Sequence, residues 1–257
     1  MALTSVQRVG LGWIMNEVLF YVLLSVAEVI GTIGGFGSSL LVMPLAEHFL
    51  GFQQALGLTA LFHVFSNVSK IVLFRQGLDR KLAVRMGIPA VVGVVLGALL
   101  TGAWEGATLR LALGVVLVVV SVLVLLAGRR PLKATLLNAV LGGAGSGFAA
   151  GLVGTGGAVR GVVLAAFALE KSTFIATSAW IDLGVDVSRS VIYGGMGYFS
   201  PTLWLQLPVL IVVSYAGTWV GRLLLDRIPQ DRFRQGVLLL VFAVGAWVTI
   251  TSLRALA

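Results

Sequence analysis

Apolar residues fall in unbroken runs along this chain, and the lengths of those runs set the first reading. The runs 14–34, 54–74, 83–103, 107–128, 135–154, 172–193, 202–223 and 235–253 are each about 20 residues, enough to cross a bilayer as a helix. Two more, 38–50 and 157–169, have 13 residues and follow glycine clusters directly. At 1.5 Å per residue these reach about 20 Å, short of a hydrocarbon core about 30 Å thick. They are tilted, interfacial, or halves of broken or re-entrant segments. No run shows the ten-residue alternation of an outer-membrane barrel. The pattern predicts an all-α polytopic membrane protein.

Composition agrees. Charged residues make up 11% of the chain and the mean hydropathy is +1.04, whereas a soluble domain carries about 25% charge. Most of the outer surface therefore faces lipid. Lysine and arginine number 18 against 10 acids, a formal +8, which in a soluble protein would suggest nucleic acid. Here the basic residues lie in short links between apolar runs, which is the positive-inside pattern of a membrane protein. The bilayer is the expected partner, and nucleic acid is not. Cysteine is absent, so there is no disulfide, thiolate metal site or cysteine nucleophile. The first run carries Glu17 and Glu28, has only Arg8 ahead of it and lacks a small-residue cleavage site. It reads as a retained helix behind an N-terminal extension, 1–13, and not as a signal peptide.

The pattern also repeats. Residues 54–102 align on 173–221 at an offset of 119, which places Asn67-Val68-Ser69-Lys70 on Asp186-Val187-Ser188-Arg189 and Pro89 on Pro208. The cluster Gly31–Gly37 aligns on Gly151–Gly157 at an offset of 120. Polar residues kept in register argue for a real duplication: a first repeat 14–128, a connector 129–134 and a second repeat 135–257 in one membrane domain. The link 75–85 carries Arg75, Arg80, Lys81 and Arg85, while its equivalent 194–204 has no basic residue. The bias reverses at 104–110 and 222–234, and Arg129, Arg130 and Lys133 make the connector basic. Placing 75–85, 129–133 and 222–234 in the cytoplasm satisfies every link and inverts one half relative to the other. The expected location is the plasma membrane, with both termini outside.

Inverted repeats with broken segments at matching places point to a secondary transporter with a midplane site. A helix that restarts after a glycine break aims unpaired N–H groups and a positive dipole end inward, which favours an anion. The candidate binding residues at the breaks are Gly34, Gly35, Gly37 and Ser38, with Gly154, Thr155, Gly156 and Gly157. Gly93/Gly97 and Gly217/Gly221 fit close helix packing instead. Ionisable residues inside the membrane are the other candidates. Asp182, Asp186 and Arg189 share one face of the run 172–193, and His63, Asn67 and Lys70 occupy the aligned positions. Thr59 and Ser178 lie four residues earlier on those faces. Lys70 and Arg189 could hold an anion between them, with Asp186 balancing Arg189 in the empty site. Asp182, Asp186 and Glu28 are candidate coupling or ion-pair residues; Glu28 has no obvious partner. Arg160 follows the second break. The structural alternatives are that Asp186 and Arg189 only neutralise each other and that Lys70 snorkels to the surface. Glu47 and His48 read as interfacial.

Enzyme chemistry is thin. Gly145-Ser146-Gly147-Phe148-Ala149-Ala150 matches G-x-G-x-x-A but follows no strand, and H-E-x-x-H, G-x-x-x-x-G-K-[ST] and G-x-S-x-G are missing. No catalytic residue, metal or cofactor is expected.

The order of motifs resembles a known family. A G-x-x-G-G-x-G stretch leads to a short helix with Pro44, then Ala55-Leu56-Gly57-Leu58-Thr59, a basic link and a P-x-x-x-G-x-x-x-G helix, and the unit is then repeated. Over roughly 25–250 this resembles the TauE/SafE sulfite-exporter family of permeases. The resemblance implies export, less often uptake, of sulfur-containing anions such as sulfite, sulfoacetate or other sulfonates. Leu58 departs from the G-T-S-like motif that Ala176-Thr177-Ser178 keeps. An anion channel and an enzyme acting on a lipid-soluble substrate are the alternatives. Oligomeric state is not legible.

Overall fold

The computed structural model describes residues 5–35, 37–75, 77–100, 106–126 and 132–256, all of whose regular structure is helical. The first half contains α1 (Ser5–Gly34), α2 (Ser39–Leu50), α3 (Phe52–Leu73), α4 (Arg80–Leu99) and α5 (Gly106–Leu126). The second contains α6 (Leu136–Val153), α7 (Gly157–Ala166), α8 (Lys171–Gly195), α9 (Pro201–Leu225) and α10 (Gln230–Leu256). Each half therefore has four long helices and one short one, as the apolar runs predict. The backbone of α1 is helical from Ser5 onward. Arg129 and Arg130 of the connector and Phe36 of the first break lie outside the described residues.

The helix ends follow local chemistry. Asp79 caps α4 by accepting from the Leu82 N–H at 2.9 Å, and Thr135 caps α6 through Asn138 N–H at 3.2 Å. The helix α7 ends at Ala166, short of the expected 169, because Phe167 and Ala168 form a turn in which Ala168 has φ 53°. With 12 and 10 residues, α2 and α7 are too short to cross a bilayer alone.

Polarity is inverted relative to a soluble protein. Leu205, Val191 and Val212 are 81%, 72% and 65% exposed, while Glu28, Lys70, Arg160 and Arg189 are at most 2% exposed. Among the described residues, six helices are long and apolar enough to cross a membrane. The helix α8 falls outside those six because Asp182, Asp186 and Arg189 lie along it, all facing inward. A lipid-facing exterior around a polar interior makes this a polytopic membrane protein.

Backbone contacts at glycine join the halves. The helix α4 lies along α6, α1 along α9, α3 across α8, and α5 beside α10. A Cβ at Gly143, Gly147 or Gly151 would fall on the carbonyls of Met86, Ala90 or Val94, and one at Gly93 or Gly97 on those of Ala144 or Phe148. On the other side, Cβ atoms at Gly217 and Gly221 would come within 2.8 and 2.7 Å of the Glu28 and Thr32 side chains. The packing role expected of Gly93, Gly97, Gly217 and Gly221 is the one they fill.

Candidate functional site between the two helix breaks

Both short helices begin at a glycine-rich break. The first break follows α1 at Gly34; Gly35 and Gly37 have φ of 75° and 90°. The second follows α6, where Gly154 takes a left-handed φ of 78° and Gly156 precedes α7. No side chain caps either short helix, because Ser38 turns its hydroxyl elsewhere and Gly156 has none. The helices α3 and α8 pack against each other and bring the two polar stripes together.

Asp186 stands at the centre. Its Oδ1 meets Arg189 Nε at 2.7 Å, and its Oδ2 accepts from Asn67 Nδ2 at 2.7 Å. Asn67 and Asp186 are aligned positions of the repeat, so the two halves touch each other through equivalent residues. The rest of the Arg189 guanidinium donates to the Gly154 carbonyl at 3.1 Å, the Thr59 carbonyl at 3.4 Å and His63 Nδ1 at 3.1 Å. Thr59 thus serves through its carbonyl. Its hydroxyl donates to Leu56 O at 3.1 Å in its own helix. Ser178 does face the site, accepting from Arg160 Nε at 3.1 Å and donating to Asp182 at 3.3 Å, and Arg160 forms an ion pair with Asp182.

Glu28 has partners that spacing did not disclose. Buried completely, it accepts from Lys70 at 2.7 Å, Ser38 at 2.5 Å, Ser66 at 2.6 Å, Thr218 at 3.0 Å and Thr32 at 3.3 Å. Lys70 is therefore held by an internal counter-ion at 2% exposure and does not reach the surface. Ser38 Oγ also lies 3.1 Å from His63 Nε2. Arginine only donates, so His63 Nδ1 accepts; Ser38 gives its single proton to Glu28, so His63 Nε2 carries the other proton and donates to Ser38. Hydrogen bonds run in one direction, from Arg189 through His63 and Ser38 to Glu28. Lys70 and Arg189 stand at opposite ends of this chain and do not face each other across an open space.

A cavity of about 10 Å³ remains, lined in part by Gly37, Ser39, His63, Asn67, Gly156, Gly157, Asp182, Asp186 and Arg189. That is room for about one water. Among the described residues, three buried acids (Glu28, Asp182, Asp186) match three buried bases (Lys70, Arg160, Arg189). At the start of α7, Thr155 Oγ1 and Arg160 Nη1 are buried without a hydrogen-bond partner. Sequence reasoning missed Thr32, Ser66, Thr218 and Ser39. Ser66 lies one turn before Lys70 on α3, and Thr218 follows Gly217, the residue that brings α9 against Glu28.

Among curated proteins, none matches the chain. The family model described as sulfite exporter TauE/SafE matches residues 19–248, nearly the whole chain and every residue of the buried network. Members of this family are transporters, not enzymes. A polytopic helical protein that buries a balanced set of charges between two broken helices, and matches that model from α1 to α10, belongs to the sulfite exporter TauE/SafE family.

Proposed function

We propose that this chain is a secondary transporter that exports small sulfur-containing anions, such as sulfite, sulfoacetate or other organosulfonates, and binds them between the two helix breaks. The start of α7 carries this reading. No side chain caps this helix start, and the Thr155 hydroxyl and Arg160 Nη1 are buried there without hydrogen-bond partners; the oxygens of a small oxyanion supply what they lack. The site residues are those of the two breaks together with Thr59, His63, Asn67, Lys70, Arg160, Ser178 and Arg189, with Asp182, Asp186 and Glu28 as their counter-charges.

Alternating access fits the geometry. A cavity of about 10 Å³ is too small for sulfite, so the helices must part to admit it and close again, which is a carrier's cycle and not that of a standing pore. The duplicated packing supports a rocking motion of one repeat against the other. Under the repeat offset α4 corresponds to α9 and α6 to α1, so the α4–α6 and α9–α1 contacts are one contact made twice. In this reading the links 75–85, 129–133 and 222–234 are cytoplasmic and the protein sits in the plasma membrane with both termini outside.

Purified protein in liposomes tests the reading. Radiolabelled sulfite or sulfoacetate should show saturable flux, and unlabelled substrate on the far side should accelerate it by exchange. Large unitary currents without exchange would identify a channel, and chemical conversion of the substrate an enzyme.

A further inference from the structure

We propose that the groove between α1, α2 and α10 is a binding site for one phospholipid with an ethanolamine headgroup. It lies apart from the cavity between the breaks and does not rest on the transport reading. The groove encloses about 800 Å³, within the range of about 300–1,000 Å³ that small-molecule sites occupy. Leu23 and Val26 of α1, Leu45 of α2, and Trp247 and Val248 of α10 form its apolar walls. Val26 and Trp247, on two different walls, are each 50% exposed, so the groove opens sideways toward the hydrocarbon of the bilayer.

One end of the groove is charged and the other is not. The helix α2 runs back along α1: a Cβ at Gly31 would fall on the Ser38 backbone, and the Phe49 ring stands 5.2 Å from that of Phe20. Glu47 and His48 therefore line the Leu19 end, joined by Arg110 from the start of α5, while Ile30 and Leu41 line the end beside the first break. The apolar span of α1 begins at Glu17, so the charged end lies at a membrane face. At 1.5 Å per residue α1 covers about 16 Å between Leu19 and Ile30, close to one leaflet of a hydrocarbon core about 30 Å thick. A groove one leaflet deep, charged at the membrane face and apolar beneath it, has the polarity of a lipid molecule.

Charge then selects the headgroup. Arg110 Nη1 donates to both carboxylate oxygens of Glu47, and the guanidinium lies over the Phe52 ring. The two side chains are 35% and 28% exposed, so both signs of charge are within reach of a headgroup at this end. A phosphate with a primary ammonium sets an anion beside Arg110 and an N–H donor beside Glu47. A choline headgroup has no N–H to donate to the carboxylate. An anionic headgroup meets Glu47 with a like charge and no cation to offset it.

Phosphatidylcholine bilayers doped with a lipid carrying brominated acyl chains test the proposal, because bromine quenches tryptophan on contact and Trp247 lines the groove. The Trp247 signal is the difference between wild type and Trp247→Phe. Brominated phosphatidylethanolamine should quench it with an apparent affinity about 2- to 5-fold above that of brominated phosphatidylcholine or phosphatidylglycerol, the range that partly exposed ion pairs yield. The fluorescence left in Trp247→Phe, which includes the exposed Trp204 and Trp219 of α9, should show no such excess. Glu47→Gln leaves the Arg110 charge without this partner, so preference should pass to phosphatidylglycerol while Trp247 is still quenched. Equal quenching by the three lipids in wild type, the same excess in Trp247→Phe, or an ethanolamine preference that survives in Glu47→Gln each overturns the proposal. So does a Trp247 that no brominated lipid quenches, which would mean that a second copy of the chain covers the groove. None of these readouts requires anion flux, so a failure of the transport reading leaves them intact.

Discussion

Arg189 uses one guanidinium to hold Asp186, the second helix break through the Gly154 carbonyl, α3 through the Thr59 carbonyl, and His63. A planar fork can meet acceptors in several directions at once, and an ammonium cannot. Asp186 lines the small cavity between the two breaks. A charge-assisted hydrogen bond is worth roughly 1.5–3 kcal/mol, so Arg189→Gln is expected to weaken sulfite or sulfoacetate binding about 10- to 150-fold. Arg189→Lys should lose affinity as well. Arg189→Gln strands Asp186 and should cost about 3–5 kcal/mol of stability. Adding Asp186→Asn should restore stability without restoring binding, which thermal unfolding in detergent and equilibrium binding measure separately. Unchanged affinity in folded Arg189→Gln would move the site to the α7 start and Arg160 alone. Spacing on one helix made the Asp186–Arg189 pair legible, and the repeat placed Asn67 in register with Asp186. The direction of the Thr59 hydroxyl was not legible, because a buried threonine can satisfy itself on its own helix. Nor were the partners of Glu28, which come from three other parts of the chain.

At the scale of the element, glycines divide into two kinds that sequence cannot separate. Gly147 lies where its Cβ would fall on the Ala90 carbonyl, so Gly147→Ala forces α4 and α6 apart. Such overpacking costs typically about 1–3 kcal/mol, and the variant should unfold at lower temperature. Gly37 has φ 90° and nothing within 4 Å of its Cβ position, and it lines the cavity. Gly37→Ala pays about 1–2 kcal/mol for the left-handed backbone and places a methyl at the site, so it should slow sulfite flux more than it lowers stability. Wild-type flux from Gly37→Ala would mean that the first break serves only to turn the chain. Gly35 and Gly156 are poorer probes. A Cβ at Gly35 would come within 2.9 Å of Phe174, and one at Gly156 would fall on the Ser146 carbonyl, so either variant confounds folding with function. Run lengths and glycine clusters exposed the ten helices and both breaks. What they left out was the neighbour facing each glycine, which tertiary packing decides.

For the whole molecule, the distribution of basic residues across the links is the basis of the proposed orientation. The chain contains no cysteine, so single cysteines can be read without background. Gly77 is unsuitable, having φ 113° and a Cβ position 2.9 Å from Thr173 N. Arg80→Cys, which is exposed, and Gly195→Cys, where a Cβ meets nothing within 4 Å, are expected to label from opposite sides of the membrane. Labelling from the same side would remove the inversion of the second half. The long-range architecture was legible here only through symmetry: the polar register between 54–102 and 173–221 implied that α3 and α8 meet, whereas nothing in the apolar runs could say that α5 pairs with α10.

The three buried acids and three buried bases among the described residues have an electrical consequence. A protein whose interior carries no net charge can reorient across the membrane field without doing electrical work, whereas each uncompensated charge it moves is worth about 2.3 kcal/mol per 100 mV. The return of the empty carrier should then be indifferent to voltage, and a voltage step applied to substrate-free protein should displace no charge. In the proposed export cycle the carrier loaded with an anion moves that anion's charge, so an inside-negative potential drives only the loaded step, and drives it outward. The balance of charge in the resting interior would act as a rectifier, reserving the membrane's electrical force for the substrate.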